Sequence, residues 1–182
     1  MTDVRGALLQ QIKDKAVVHG KVTLSSGKEA DYYIDLRRIT LDGEAAPLVG
    51  EVMLDLTAEL DFEAVGGLTL GADPVATAML HASHARGKTL DAFVVRKAGK
   101  AHGLQRRIEG AEVKGRRVLA VEDTSTTGGS VLTAVEALRE AGAEVVAVAT
   151  IVDRDTGAAE AIAEQAAVPY VFAFSKDELG LD

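Results

Sequence analysis

Along this chain, apolar residues recur at helical spacing in some stretches and as short unbroken runs in others, and the two kinds of stretch alternate. Val4 to Val18 puts Leu8, Leu9, Ile12 and Ala16 on one helical face, Tyr32 to Arg38 alternates as a strand does, and Glu44 to Leu60 is again helical. Ala64 to Leu70 is an apolar run of strand length. Pro74 to Arg86 follows it as a helix, with Asp73 as the expected N-cap and Pro74 at the first helical position. Leu90 to Val95 and Arg116 to Val121 are the next strands. After them come a helix from Ser130 to Ala141 stopped by Gly142, a strand from Glu144 to Val152, a helix capped by Thr156 and running to Ala166, and a last strand from Pro169 to Phe174. Helices set between apolar strands predict an α/β fold, a doubly wound and mainly parallel sheet with helices on both faces. No composition break marks a linker, so residues 1–182 are expected to form one domain.

One strand end carries unusual chemistry. Val118-Leu119-Ala120-Val121 is followed by Glu122-Asp123 and then by Thr124-Ser125-Thr126-Thr127-Gly128-Gly129-Ser130, which open a helix. Open α/β sheets bind ligands at the carboxyl ends of their strands. Two adjacent acids there suit a polyol, and hydroxyls, backbone N–H groups and a helix N-terminus suit a phosphate dianion. A Gly-rich strand-to-helix turn is also an ordinary connection. The acid pair decides for a ligand, because adjacent buried carboxylates repel unless hydroxyls or cations satisfy them. No Lys follows the glycines, so a Walker-type nucleotide loop is excluded, and G-x-G-x-x-G is missing as well.

Charge sharpens the picture. The net charge is −8, yet eight of the twenty Lys and Arg residues fall between Arg96 and Arg117, where Glu109 and Glu112 are the sole acids. An acidic protein that concentrates cations on one segment is suited to a small anionic ligand. Lys97 to Lys114 has little apolar periodicity and is long for a connection, as lids are. An exposed antiparallel hairpin is the competing reading. The acidic balance argues against nonspecific nucleic-acid binding. No cysteine is present, which removes disulfides, thiolate metal sites and a Cys nucleophile. No long uncharged apolar run or basic-then-apolar leader is seen, so neither a membrane partner nor secretion is expected, and the cytoplasm is the expected location. His19, His81 and His84 have no supporting cluster and are read as incidental.

The segment 118–130 resembles the phosphoribosyl-pyrophosphate (PRPP) signature of the type I phosphoribosyltransferases. Arg96-Lys97-Ala98-Gly99-Lys100-Ala101-His102-Gly103 resembles the R-K-x-x-K-x-H-G loop of the orotate-specific branch. Leu24 to Lys28 and Asp31-Tyr32-Tyr33-Ile34-Asp35 resemble its N-terminal segment. The resemblance therefore runs along nearly the whole chain. It implies a small N-terminal hood from about residue 1 to 40, a mobile lid over about 97–114, and transfer of the phosphoribosyl group from PRPP to orotate through an oxocarbenium-like transition state. Arg96, Lys97, Lys100 and His102 are implied as pyrophosphate ligands, with Lys100 or His102 assisting the leaving group. Glu122 and Asp123 are implied at the ribose hydroxyls, Asp123 among the catalytic groups. Thr124, Ser125, Thr126, Thr127, Gly128, Gly129 and Ser130 are assigned to PRPP, and Thr126, Arg154 and Lys28 to orotate. For Arg154 the sequence by itself also allows an exposed Arg paired with Asp153 or Asp155. Mg2+ is the implied cofactor, held mainly by PRPP and water with no direct protein ligand. A homodimer that shares the lid is implied as well.

Two positions depart from the family pattern. Ser25 stands where many members have Lys, with Lys28 as the candidate substitute, and Gly71 lies near a position where some carry another Lys. Backbone N–H groups and Asp73, acting through Mg2+, would serve instead. Two other readings compete: a phosphoribosyltransferase for another base, and a non-catalytic PRPP-sensing regulator that binds RNA or DNA. The second needs a further basic surface that the sequence does not supply.

Overall fold

The computed structural model describes residues 3–23, 27–97 and 106–181. Its elements are α1 (Val4–Gln11), β1 (Val17–Thr23), β2 (Glu29–Ile34), α2 (Arg37–Thr40), α3 (Ala45–Leu56), β3 (Ala64–Leu68), α4 (Ala72–Ala85), β4 (Asp91–Val95) and β5 (Ile108–Gly110). They continue with β6 (Arg117–Ser125), α5 (Gly129–Glu140), β7 (Glu144–Asp153), α6 (Ala158–Gln165) and β8 (Tyr170–Ser175). β1 and β2 form an antiparallel ribbon, and six strands form the central sheet in the order β5-β4-β3-β6-β7-β8. All neighbours in that sheet are parallel except the β4/β5 pair.

Both faces of the sheet are covered, as the continuous apolar strands require. On one face Val65, Leu119, Val121 and Ala149 pack with Leu8 of α1, Val49 and Met53 of α3, and Val75 and Met79 of α4. On the other, Ala64, Val118, Ala120 and Val148 pack with Val131, Val135 and Leu138 of α5 and Ile162 of α6. Each fully buried Leu, Ile or Met contributes about 1.5–3 kcal/mol by leaving water. The crossover from β3 runs to β4 on one side and that from β6 to β7 on the other, so the β3/β6 boundary is the topological switch point where open sheets hold ligands.

Several expectations are corrected at element ends. The helix predicted to reach Val18 stops at Gln11, passes through a π-type turn at Ile12–Ala16, and gives Val17 to the ribbon, where Val17 pairs with Ile34. The predicted strand over 32–38 ends at Ile34, because Asp35 Oδ1 accepts a hydrogen bond from Arg37 N (3.2 Å) and turns the chain into α2. Asp73 is not an N-cap: α4 starts at Ala72 behind Gly71, and Asp73 lies in its first turn. Gly157, with φ +96°, caps α6 in place of Thr156, whose hydroxyl donates to Thr126 O. Within the stretch read as a lid, Ile108–Gly110 is an edge strand antiparallel to Phe93–Val95. This is the antiparallel alternative that the sequence left open, realised over three residues; edge pairing is made by backbone groups and needs no apolar pattern.

Candidate active site

β6 runs four residues further than its apolar core, through Glu122, Asp123 and Thr124 to Ser125. The acids therefore belong to the strand, not to the loop behind it. Parallel pairing with β7 holds them there, with Glu122 opposite Thr150 and Ser125 opposite Asp153. Only residues 126–128 remain as the turn. Gly128 has φ +84°, a left-handed conformation that costs glycine nothing. It caps α5 without any side-chain hydrogen bond. The first N–H groups of α5 thus point at the turn with no side-chain cap, beside the exposed Thr126, Thr127, Gly129 and Ser130. A small cavity lies under this turn, lined among others by Glu122, Thr124, Ser125 and Thr150.

Glu122 and Asp123 are both buried. Glu122 Oε1 accepts from Asp123 N (3.2 Å), and Asp123 Oδ1 accepts from Thr124 N (2.7 Å). Burial pushes the Glu122 carboxyl up to about 8, and the charges of Asp123 and Asp73 add to the rise. Asp123 is also raised by burial, but its hydrogen bonds to Glu122 and Thr124 N and the charge of Arg37 act the other way. Glu122 therefore holds the proton and Asp123 is the carboxylate. Across the switch point, a Cβ on Gly71 would overlap Glu122 Oε1, so the turn after β3 is packed directly on the acid pair. Asp73 closes the group. Its Oδ2 accepts from Thr69 Oγ1, while its Oδ1 is buried with no hydrogen-bond partner.

The remaining predicted residues are distributed unevenly. Arg154 follows the end of β7, half-buried, and is in no ion pair among the described residues. Neither Asp153 nor Asp155 pairs with it among the described residues; Asp153 Oδ1 accepts from Asp155 N (2.6 Å). The Thr156–Thr126 hydrogen bond ties this turn to the hydroxyl loop, which brings Arg154's segment to the same strand ends. Arg96 follows β4 and stands 3.7 Å from Glu109 across the β4/β5 edge, and Lys97 beside it is exposed. Lys28 is exposed ahead of β2, with no contact joining it to the acid pair among the described residues. Ser25, Lys100 and His102 lie outside the described residues.

Two residues near the acids had no role in the sequence reading. Arg37, assigned to a strand there, sits on α2, where its Nε donates to Asp35 Oδ1 (3.1 Å) and its charge acts on Asp123. The paired acids at 122 and 123 implied a counter-cation but could not say which. Tyr170 is the other. Its hydroxyl donates to Ser125 Oγ (2.9 Å) and lies 3.0 Å from Thr150 Oγ1.

An acid pair and an open helix N-terminus at one switch point accommodate a sugar phosphate, and comparison with known proteins agrees. Residues 64–169 match the family model described as phosphoribosyl transferase domain. The chain is 84% identical over 182 residues to the orotate phosphoribosyltransferase of Streptomyces avermitilis, and 81% to that of Streptomyces coelicolor, covering all of each. The chain belongs to the orotate phosphoribosyltransferase family. Among solved structures, an orotate phosphoribosyltransferase of Mycobacterium tuberculosis H37Rv in complex with PRPP superposes with a TM-score of 0.86 at 54% identity, over 98% of this chain and 99% of that one. Within this family the contact of Gly71 with Glu122 accounts for one departure: a lysine here would have to displace the acid pair.

Proposed function

We propose that this chain transfers the 5-phosphoribosyl group of PRPP to orotate, giving orotidine 5'-monophosphate, the precursor of UMP, and pyrophosphate. The observation that carries the reading is the continuity of β6 into the acid pair and then into the uncapped α5 N-terminus, which sets polyol and phosphate subsites side by side. In the reaction a bond forms from a ring nitrogen of the base to the anomeric carbon, and the proton of that nitrogen is released to water or to the departing pyrophosphate. The bond to the pyrophosphate oxygen breaks, and its electron pair leaves with pyrophosphate.

In this proposal the backbone N–H groups and hydroxyls of residues 126–130 hold the 5-phosphate. Asp123 and Glu122 accept from the ribose hydroxyls, and the Asp123 carboxylate stands near the positive charge that develops on the sugar. Fixed dipoles and charges of this kind are usually the largest contribution to such catalysis. Arg154 takes the orotate carboxylate, for which a planar guanidinium is suited. Arg96, Lys97, Lys100 and His102 take the pyrophosphate, an assignment that rests on their sequence motif.

Among the described residues no three acids or histidines converge on a point that could hold a metal ion. The orphaned Asp73 Oδ1 beside the protonated Glu122 nevertheless fits a hydrated cation carried in by the substrate. Mg2+ so bound, with Asp73 and Asp123 accepting from its waters, would neutralise charge on the pyrophosphate. The proposal also includes a homodimer. Leu41 and Leu70 are 69% and 56% exposed beside an apolar groove lined by Pro47, Pro74, Ala78 and Ala82, next to the turn that packs on Glu122. A second copy of the chain would cover that groove and bring its own basic segment to the site. A cytoplasmic location belongs to the same proposal and agrees with the lack of cysteine.

The test is loss of orotate's ultraviolet absorbance on adding PRPP and Mg2+. Turnover with orotate is expected. No turnover with orotate, together with turnover of uracil or a purine, would overthrow the reading in favour of another base.

A further inference from the structure

Beneath the hydroxyl loop lies a half-buried polar group that the proposed chemistry leaves unused. Tyr170 opens β8 at the start of an edge strand, where its Cα pairs with Val148. Its ring leans on Phe172, with centroids 5.8 Å apart, and its hydroxyl reaches along the sheet to Ser125 and Thr150. For packing alone phenylalanine would serve as well. The hydroxyl's bonds to Ser125 and Thr150 go to side chains toward the carboxyl ends of β6 and β7, and both residues line the cavity under the 126–130 turn.

The proton inventory of this group is restrictive. A phenol has one proton; given to Ser125 Oγ, it leaves Thr150 to donate to the phenol oxygen, and given to Asp153 it leaves both hydroxyls to donate. In the first arrangement Ser125, only 4% exposed, has accepted from Tyr170 and keeps its own proton for another acceptor. Thr124 Oγ1, on the same cavity wall, is buried with no partner. Burial, and the nearby Asp153 carboxylate as a second acceptor, hold the phenol neutral throughout the working range. An anion on the turn would favour the arrangement in which Tyr170 donates to Ser125 and Ser125 donates upward.

We propose that Tyr170 is a positioning residue for the 5-phosphate of PRPP, acting through Ser125 and Thr150 at the floor of the phosphate loop. The inference rests on the assignment of residues 126–130 to that phosphate. Asp153, the alternative acceptor, also anchors the turn that carries Arg154, through Asp155 N. Tyr170 thereby stands between the two proposed subsites, but its donated proton goes to the phosphate side.

Tyr170→Phe keeps the ring and removes the hydroxyl. The KM for PRPP should rise about five- to tenfold, the loss of one well-placed hydrogen bond near a charged ligand, while kcat and the KM for orotate change less than about twofold. An unchanged KM for PRPP, or equal rises in both KM values with a large fall in Tm, would overturn the proposal. Ser125→Ala supplies the second arm. Because Tyr170 acts through Ser125, adding Tyr170→Phe to Ser125→Ala should cost less than twofold more, whereas multiplying effects would show that Tyr170 acts elsewhere. Calorimetric binding of PRPP without orotate reads the same two variants independently of the base. A protein that binds PRPP but does not consume orotate would then refute the proposed reaction while still deciding the role of Tyr170.

Discussion

Gly71 and Glu122, from different strand ends and 51 positions apart, are packed so closely that a side chain at 71 would occupy the space of Glu122 Oε1 and approach Asp123 Oδ1 to 3.0 Å. The acid pair is held against the turn after β3 by this missing side chain. Gly71→Ala should therefore displace Glu122. The atom met is the end of the Glu122 side chain, which can swing aside, so the fold should survive while the acid leaves its place and PRPP affinity falls by roughly tenfold, about the worth of a lost hydrogen bond to the ribose. Orotate affinity should be nearly unchanged. Titration calorimetry with each ligand separates the two, and normal PRPP binding by the variant would mean that the contact plays no part in the site.

Protonation of Glu122 makes stability depend on pH in a defined direction. The group sits near 8 in the folded protein against an ordinary 4.5, so folding takes up a proton between those values. Its contribution is fully present below 4.5 and is lost as pH rises through about 8. The ligand-free protein should thus lose stability from pH 5 to pH 8, and Glu122→Gln, which cannot ionise, should flatten that fall. At pH 8 the variant should melt about 2–4 °C or more above the parent, the shift expected for about 1 kcal/mol in a chain of this size. Parallel melting curves for the two proteins across that range would exclude a protonated Glu122.

Lys100 and Arg154 are assigned to different partners, and their kinetics should differ accordingly. Lys100→Ala should lower kcat strongly, by about a hundredfold if its charge stabilises the departing pyrophosphate, and leave orotate binding intact. Arg154→Ala should chiefly raise the KM for orotate, by tenfold or more for a lost charge-assisted pair. Near-normal kinetics in both variants would dismiss the assignments.

The exposed Leu41 gives a test of assembly that avoids the catalytic groups. The parent should elute with the mass of a dimer at micromolar concentration, and Leu41→Glu should shift it toward the monomer by placing a charge in the apolar groove. Light scattering after gel filtration measures both. A monomeric parent protein would end the proposal of a dimer built on this face.

The central parallel strands were readable because they are apolar runs buried on both faces, as at Val118–Val121 and Ala64–Leu68. Their α/β order followed from the helical spacing between them. Less was readable where backbone pairing alone makes the element. In β1 the run His19, Gly20 and Lys21 interrupts the valines and breaks any strand period, and β5 is three residues at an edge. Helix starts were misread at Asp73 and Thr156 because each side chain found a partner outside its own helix, Thr69 in one case and Thr126 in the other.

By itself the sequence determined the kind of chemistry, since adjacent acids, hydroxyls and glycines after a buried strand are informative at short range. It determined the family too, through motifs spread over the chain. Tertiary structure decided which of the two acids keeps its proton, that a side chain at 71 would meet Glu122, that Arg37 is the cation acting on Asp123, and that Tyr170 reaches Ser125 and Thr150. Each of these depends on burial or on a contact between strands distant in sequence. Desolvation and steric overlap are properties of the packed arrangement, and no local pattern of residues encodes them.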